Sequence, residues 1–131
     1  MLMVDTSVWI DYLNNHDTPA VVRLDMVLAI EKVAVGDVVL CEILQGIRTE
    51  ARAASTLRIL SQYEQVAMVS PAMAVRAASN YRYLRQRGIT IRSSIDCFIA
   101  TAVIAGHHVL LHNDRDFDHF EEHLGLQVLH P

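Results

Sequence analysis

With 131 residues, 52% of them hydrophobic and 20% charged, the chain has the size and richness of one folded domain (1–131), and its composition excludes a disordered protein. Its longest apolar stretch, Phe98–Ala105, is too short to span a bilayer, and no basic region precedes its first apolar run, so the expectation is a soluble cytoplasmic protein with no membrane attachment. A net charge of −4 argues in general against nucleic-acid binding, but four acids singled out below account for that excess and a bound cation would cancel them.

In chain order, Leu2–Val4 reads as a short strand ending on Asp5. Thr6 and Ser7 are good N-cap residues for the helical pattern of Val8, Ile10 and Leu13. Pro19 opens a second helix carrying Val21, Leu24, Val27 and Leu28. Val33–Val35 is a β-branched strand closed by Gly36, after which Asp37 can cap a helix running to about Arg48. Ala51–Gln62 is helical, Val66–Val69 reads as a strand, and Pro71 opens a helix continuing to Arg87 ahead of Gly88. Ser93 or Ser94 caps a helix through Ala105, ended by Gly106. The strand Val109–Leu111 delivers Asp114, a short acidic helix covers Asp116–Leu124, and Leu126–Leu129 closes the chain as a strand. Short apolar strands alternating with helices predict an α/β fold whose central, mostly parallel sheet of four or five strands is covered on both faces. Cys41 and Cys97 sit beside Leu40 and Phe98 outside any C-x-x-C pair, and are expected to be buried free thiols.

Four carboxylates fall where apolar segments bury their neighbours: Asp5, Glu42, Asp96 and Asp114. The single lysine, Lys32, is remote from them in sequence, and the only arginine beside any of the four is Arg115. Asp5 and Asp114 follow strands, at the sheet edge where parallel α/β proteins build their sites. Glu42 shares the apolar stripe of Val38, Val39, Ile43 and Ile47, and Asp96 that of Ile99, Ala100 and Val103, so both point toward the sheet. Such a cluster would repel itself unless protonated or bridged by metal. All-carboxylate oxygen ligation favours Mg²⁺ or Mn²⁺, whereas zinc would want His or Cys. Such an ion lowers the pKa of a bound water and orients it on phosphorus, which points to phosphodiester hydrolysis. Asp116 is the favoured additional acid over Asp118.

The surrounding residues divide more simply. Thr6 and Ser7 are capping candidates with a second role in hydrogen-bonding an acid, and Asn113 stands next to Asp114 as a further supporting group. Arg82, Arg85, Arg87 and Arg92 form a basic stretch that reads equally as RNA-phosphate contacts and as a solvated helix end. His119 and His123 lack a third zinc ligand and read as a solvated helix face, His107, His108 and His112 as loop and strand-end residues, and Trp9 and Tyr12 as packing residues.

Met3-Val4-Asp5-Thr6-Ser7-Val8-Trp9-Ile10, Glu42-Ile43-Leu44-Gln45-Gly46, Arg92-Ser93-Ser94-Ile95-Asp96-Cys97-Phe98-Ile99-Ala100 and Asn113-Asp114-Arg115-Asp116-Phe117, in that order, resemble the PIN-domain ribonuclease toxins of VapBC toxin-antitoxin modules. The likeness spans essentially the whole chain. It implies a three-layer α/β/α PIN-like domain, an Mg²⁺- or Mn²⁺-dependent endoribonuclease that cuts structured RNA such as transfer or ribosomal RNA and blocks translation, a homodimer, and a larger heteromer with an inhibiting VapB-type antitoxin. It places the metal-binding acids on Asp5, Glu42, Asp96 and Asp114, with Asp116 as an additional position. The alternative is a catalytically silent PIN-like module that only binds a protein partner. A receiver domain would need a strand-end lysine, and a haloacid-dehalogenase-type phosphatase a second acid where Ser7 stands.

Overall fold

The computed structural model covers Met1–Pro131 and contains four strands and seven helices: β1 (Leu2–Val4), α1 (Thr6–Leu13), α2 (Pro19–Leu28), β2 (Val33–Gly36), α3 (Asp37–Gln45), α4 (Glu50–Leu60), β3 (Glu64–Val66), α5 (Pro71–Arg85), α6 (Ser94–Ala105), β4 (Val109–Leu111) and α7 (Asp116–Leu124). The sheet is wholly parallel in the order β3-β2-β1-β4, with helices on both faces, a three-layer α/β/α arrangement. No helix is long and apolar enough to cross a membrane.

The short strands are buried end to end. Leu2, Met3 and Val4 in β1 and Val33, Ala34 and Val35 in β2 are sealed between the helical layers, as a two-sided parallel sheet requires. Trp9, Leu24, Leu60, Leu84, Ile99, Phe117 and Phe120 complete one continuous core around them. Trp9 packs against Tyr12 and Tyr63 at ring-centroid distances of 5.8 and 5.0 Å, so the aromatic pair of α1 belongs to the packing, as expected.

The chain builds β1, β2 and β3 outward in one direction and then returns to place β4 on the other side of β1. Neighbouring connections therefore diverge between β1 and β4, and the crevice beyond their carboxyl ends is where open parallel sheets place a site. The Asp5 amide donates to the Leu111 carbonyl at 3.0 Å, closing the two strand ends side by side.

Several elements differ from expectation. β3 lies at Glu64–Val66 rather than Val66–Val69. The Met68 amide donates to the Asp37 carboxylate at 2.8 Å, which takes it out of any ladder, while its side chain plugs the core over Gly36. Asp37 is the first helical residue of α3, with Gly36 at the N-cap, and its carboxylate ties that helix start to the segment after β3. α3 ends at Gln45 with Gly46 as C-cap, not near Arg48, and α5 ends at Arg85. Leu126–Leu129 makes one parallel bridge, Leu110 to Val128, rather than a strand. Cys97 is buried as expected, but Cys41 is exposed, because its position on α3 turns away from the Val39 and Ile43 stripe.

Candidate active site

Asp5, Glu42, Asp96 and Asp114 line a single open cavity of about 490 Å³, together with Thr6, Ser7, Asn113, Arg92 and Arg115. β1 ends at Val4, so Asp5 takes the N-cap of α1 in an extended conformation (φ −72°, ψ 160°), held at the switch point with only 6% of its surface exposed. Glu42 reaches the cavity from the middle of α3, and Asp96 from the first turn of α6. Asp114 sits in the turn between β4 and α7, its Oδ1 accepting the Asp116 amide at 2.9 Å.

The hydroxyls of α1 serve acids rather than the helix end. Thr6 Oγ1 donates to Glu42 Oε1, and Ser7 Oγ to Asp5 Oδ2 at 3.4 Å. Both residues lie inside α1, so their capping role passes to Asp5.

The acids feel one another. Burial pushes the Asp5 carboxyl up to about 6; the Thr6 amide and Ser7 hydroxyl oppose this, while the charges of Glu42 and Asp114 add to it. Asp96 is pushed up to about 7, first by burial and then by the charges of Asp5, Asp114, Glu42 and Asp116. Both carboxyls are raised first because burial disfavours the charged form, and the neighbouring acids add a smaller push in the same direction. No three His, Cys, Asp or Glu side chains are already arranged to grip a metal ion.

One counter-charge was not legible in the sequence. Arg92 donates through Nε to Asp116 Oδ2 at 3.2 Å and through Nη2 to Asp114 Oδ1 at 3.5 Å, and its backbone amide also reaches Asp116 Oδ2 at 3.3 Å. Arg115, the arginine expected beside the acids, lines the same cavity, but the ion pairs come from Arg92. Arg92 is 22 residues from Asp114, and only the bend before α6 brings the two together.

A second missed residue lies beneath the site. His112 Nδ1 accepts the Asp114 amide at 3.0 Å, with the imidazole packed on Phe117 at a centroid distance of 4.9 Å. Its Nε2 is buried without a hydrogen-bond partner, 3.9 Å from Asp118, and burial lowers its pKa. The signal was the strand alternation, which puts His112 on the same side as buried Leu110. Asp116 and Asp118 separate here: the first is joined to Arg92 at the cavity, while the second is largely exposed beside His112. Arg82 and Arg85 line a neighbouring groove with Arg92, whereas Arg87 folds onto Tyr83, its guanidinium 3.3 Å from the ring centre.

A parallel α/β/α sheet with carboxylates gathered at its switch point defines a class, and the PIN domain family profile matches residues 2–122 of this chain. The chain belongs to the PIN-domain family. Within it, the chain is 31% identical over 121 residues to VapC ribonuclease Mb1587 of Mycobacterium bovis and, equally, to ribonuclease VapC11 of Mycobacterium tuberculosis, with 90% of each chain covered, which places it among VapC proteins. Among solved structures, it superposes on VapBC2 from Rickettsia felis bound to a promoter DNA fragment with a TM-score of 0.75 at 22% identity, covering 98% of this chain and 96% of the other. FitAcB from Neisseria gonorrhoeae gives a TM-score of 0.70 at 17% identity, with 100% and 98% covered. These likenesses establish the same fold.

Proposed function

We propose that this PIN domain is the toxin of a type II toxin-antitoxin module, a metal-dependent endoribonuclease that cleaves structured RNA and so halts translation. The observation that carries the reading is the gathering of Asp5, Glu42, Asp96 and Asp114 in one cavity, two of them with raised pKa values. Its curated relatives are named as VapC ribonucleases.

The donor set suits Mg²⁺ or Mn²⁺. The cavity offers carboxylate and hydroxyl oxygens and no thiolate or imidazole ligand, and its one arginine ion-paired to the acids, Arg92, reaches Asp114 and Asp116 and not Asp5 or Asp96. Mg²⁺ keeps several waters and takes part of its coordination from substrate phosphate, so a site without a finished protein cage is compatible with it. Asp5, Asp96 and Asp114 would be the principal ligands, with Asp116 as an outer acid. When bound, the ion supplies positive charge for the scissile phosphate and acidifies a water. Glu42 is held by Thr6 through Oε1, which leaves Oε2 to take the proton of the attacking water. Ser7 steadies Asp5, and Asn113 stands at the cavity rim.

Relatives with this fold were solved as VapBC complexes, and the corresponding assembly here is a homodimer held in a larger complex by a VapB-type antitoxin. Transfer or ribosomal RNA is the expected target class. Asp5→Asn and Asp96→Asn should each abolish Mg²⁺- or Mn²⁺-dependent RNA cleavage and growth inhibition with the circular dichroism spectrum unchanged; full activity in either variant sinks the assignment. Sequencing RNA 5′ ends after induced expression reads activity and target together.

A further inference from the structure

Half of the arginines of this acidic chain stand together. Between Gln65 and Ile95 there are five arginines and no acidic residue, so all 15 acids lie elsewhere. α5 carries most of this basic segment. It packs on α6 through small residues, with Ala77 buried and Asn80 Nδ2 donating to Thr101 Oγ1 at 3.0 Å, so the surface between the two helices is preformed. That surface is a groove of about 470 Å³ in which Tyr81, Arg82, Arg85, Arg92 and Phe98 meet. Arg85 lies over the Tyr81 ring at 5.6 Å. Arg92 lines both this groove and the acid cavity, so the two are contiguous.

We propose that the α5–α6 groove is a guide for the RNA strand on one side of the scissile phosphate, Arg82 and Arg85 holding successive phosphates and Tyr81 offering a face to a base. The proposal rests on the ribonuclease reading of the acid cavity. Three features carry it. The charge is local and of one sign, as a polyanion requires, and it abuts the only part of the molecule where phosphodiester chemistry is expected. A half-buried aromatic ring interleaved with guanidinium groups is the arrangement that binds single-stranded nucleic acid without reading its sequence. A second copy of this chain is a poorer occupant, since a two-fold contact through the groove would set the same arginines against each other. Not every basic residue of the segment takes part: Arg76 lies outside the groove, and Arg87 is folded onto Tyr83 and donates to its carbonyl at 2.9 Å.

The test compares Arg82→Gln/Arg85→Gln with Arg76→Gln/Arg87→Gln, two double substitutions that remove equal charge. Binding of a labelled single-stranded oligoribonucleotide is measured by fluorescence anisotropy across a salt series, in the Asp5→Asn background so that the probe stays intact. The groove pair should weaken binding at least tenfold and reduce the salt slope by about 1.4, the value for two phosphate contacts on a single strand. The control pair should stay within about twofold, and Arg82→Lys/Arg85→Lys, which keeps the charge, should recover most of the binding and exclude a folding defect. Equal weakening by both pairs would reduce the groove to diffuse charge, and no weakening by the groove pair would overturn the proposal. Sedimentation of the groove pair as a smaller species than the parent would also overturn it, by showing that a second copy covers the groove. RNA binding is read apart from cleavage, so loss of cleavage in Asp5→Asn tests the active-site reading and leaves the groove to be judged on affinity alone.

Discussion

Removing the charge of Asp5 should stabilise the metal-free protein while destroying its activity. Asp5 is 6% exposed, and its carboxyl is pushed from 3.8 up to about 6, chiefly by burial. The sign follows from linkage. Below about pH 4 the group is protonated in both folded and unfolded chains and costs nothing. As pH rises from about 4 to about 6, the unfolded chain gives up its proton while the folded chain still holds it, so stability is lost across that window and stays lost above it. A shift of about 2 units corresponds to about 3 kcal/mol at pH 8. Asparagine keeps the shape and an oxygen for the Ser7 hydroxyl without the charge. Asp5→Asn should therefore gain up to about 3 kcal/mol at pH 8, roughly 10 °C in melting temperature for a domain of this size, and almost nothing at pH 4. Thermal unfolding in a chelator at the two pH values measures this directly. Saturating Mg²⁺ should narrow the difference, since a ligand at 100 times its Kd returns about 2.7 kcal/mol to the wild type and less to a variant lacking a ligand. A gain of the same size at both pH values, or no gain at pH 8, would refute the claim that Asp5 is an under-neutralised buried charge.

Thr6→Val keeps volume but leaves Glu42 Oε1 without its donor, and should lower kcat roughly tenfold with KM and melting temperature nearly unchanged, read in steady-state cleavage of a labelled RNA. Cys41 is exposed while burial pushes the Cys97 thiol up to about 11, so a thiol reagent at pH 8 should titrate one cysteine in the native protein and two after unfolding. In Gly36→Ala the new methyl would collide with the buried Met68 side chain, costing about 1–3 kcal/mol in urea unfolding; adding Met68→Ala should recover part of that loss, the two changes coupling rather than adding.

The fold was legible where one physical signal dominated. Pro19 and Pro71 open helices because proline at the first position loses nothing, and Thr18 and Ser70 each cap from the residue before, Thr18 Oγ1 accepting the Val21 amide at 3.1 Å and Ser70 Oγ the Met73 amide at 3.1 Å. It failed where tertiary partners compete for a backbone group. Val66–Val69 has the composition of a strand, but Asp37 claims the Met68 amide and Gly36 leaves room only for the Met68 side chain, so pairing stops at Val66. The acids were legible for a similar reason. A carboxylate on an apolar stripe violates the pattern around it, and the violation marks the residue in the sequence alone. Arg92 violates nothing, since an arginine before a helix is an ordinary residue, and His112 carried only the weak signal of strand alternation; the partners of both, the Asp114 amide for His112 and the Asp116 carboxylate for Arg92, are set beside them by the fold.

The net charge of −4 is then the wrong quantity from which to judge an RNA-binding protein. A polyanion meets local fields, and here the opposite fields are adjacent: a cavity of acids and a groove of arginines with Arg92 belonging to both. The acids alone would repel a phosphate, and their mutual repulsion, which adds to burial in raising the Asp5 and Asp96 carboxyls, is what a bound cation would relieve. Arg92 spans Asp114 and Asp116, so a metal ion bound at those acids would compete with that guanidinium. Arg92→Gln should therefore tighten Mn²⁺ binding in calorimetry, by a factor that shrinks as ionic strength rises. It should also weaken RNA binding, because it removes the residue through which the two fields meet. Weaker binding of both ligands would instead make Arg92 a support for the acid loop.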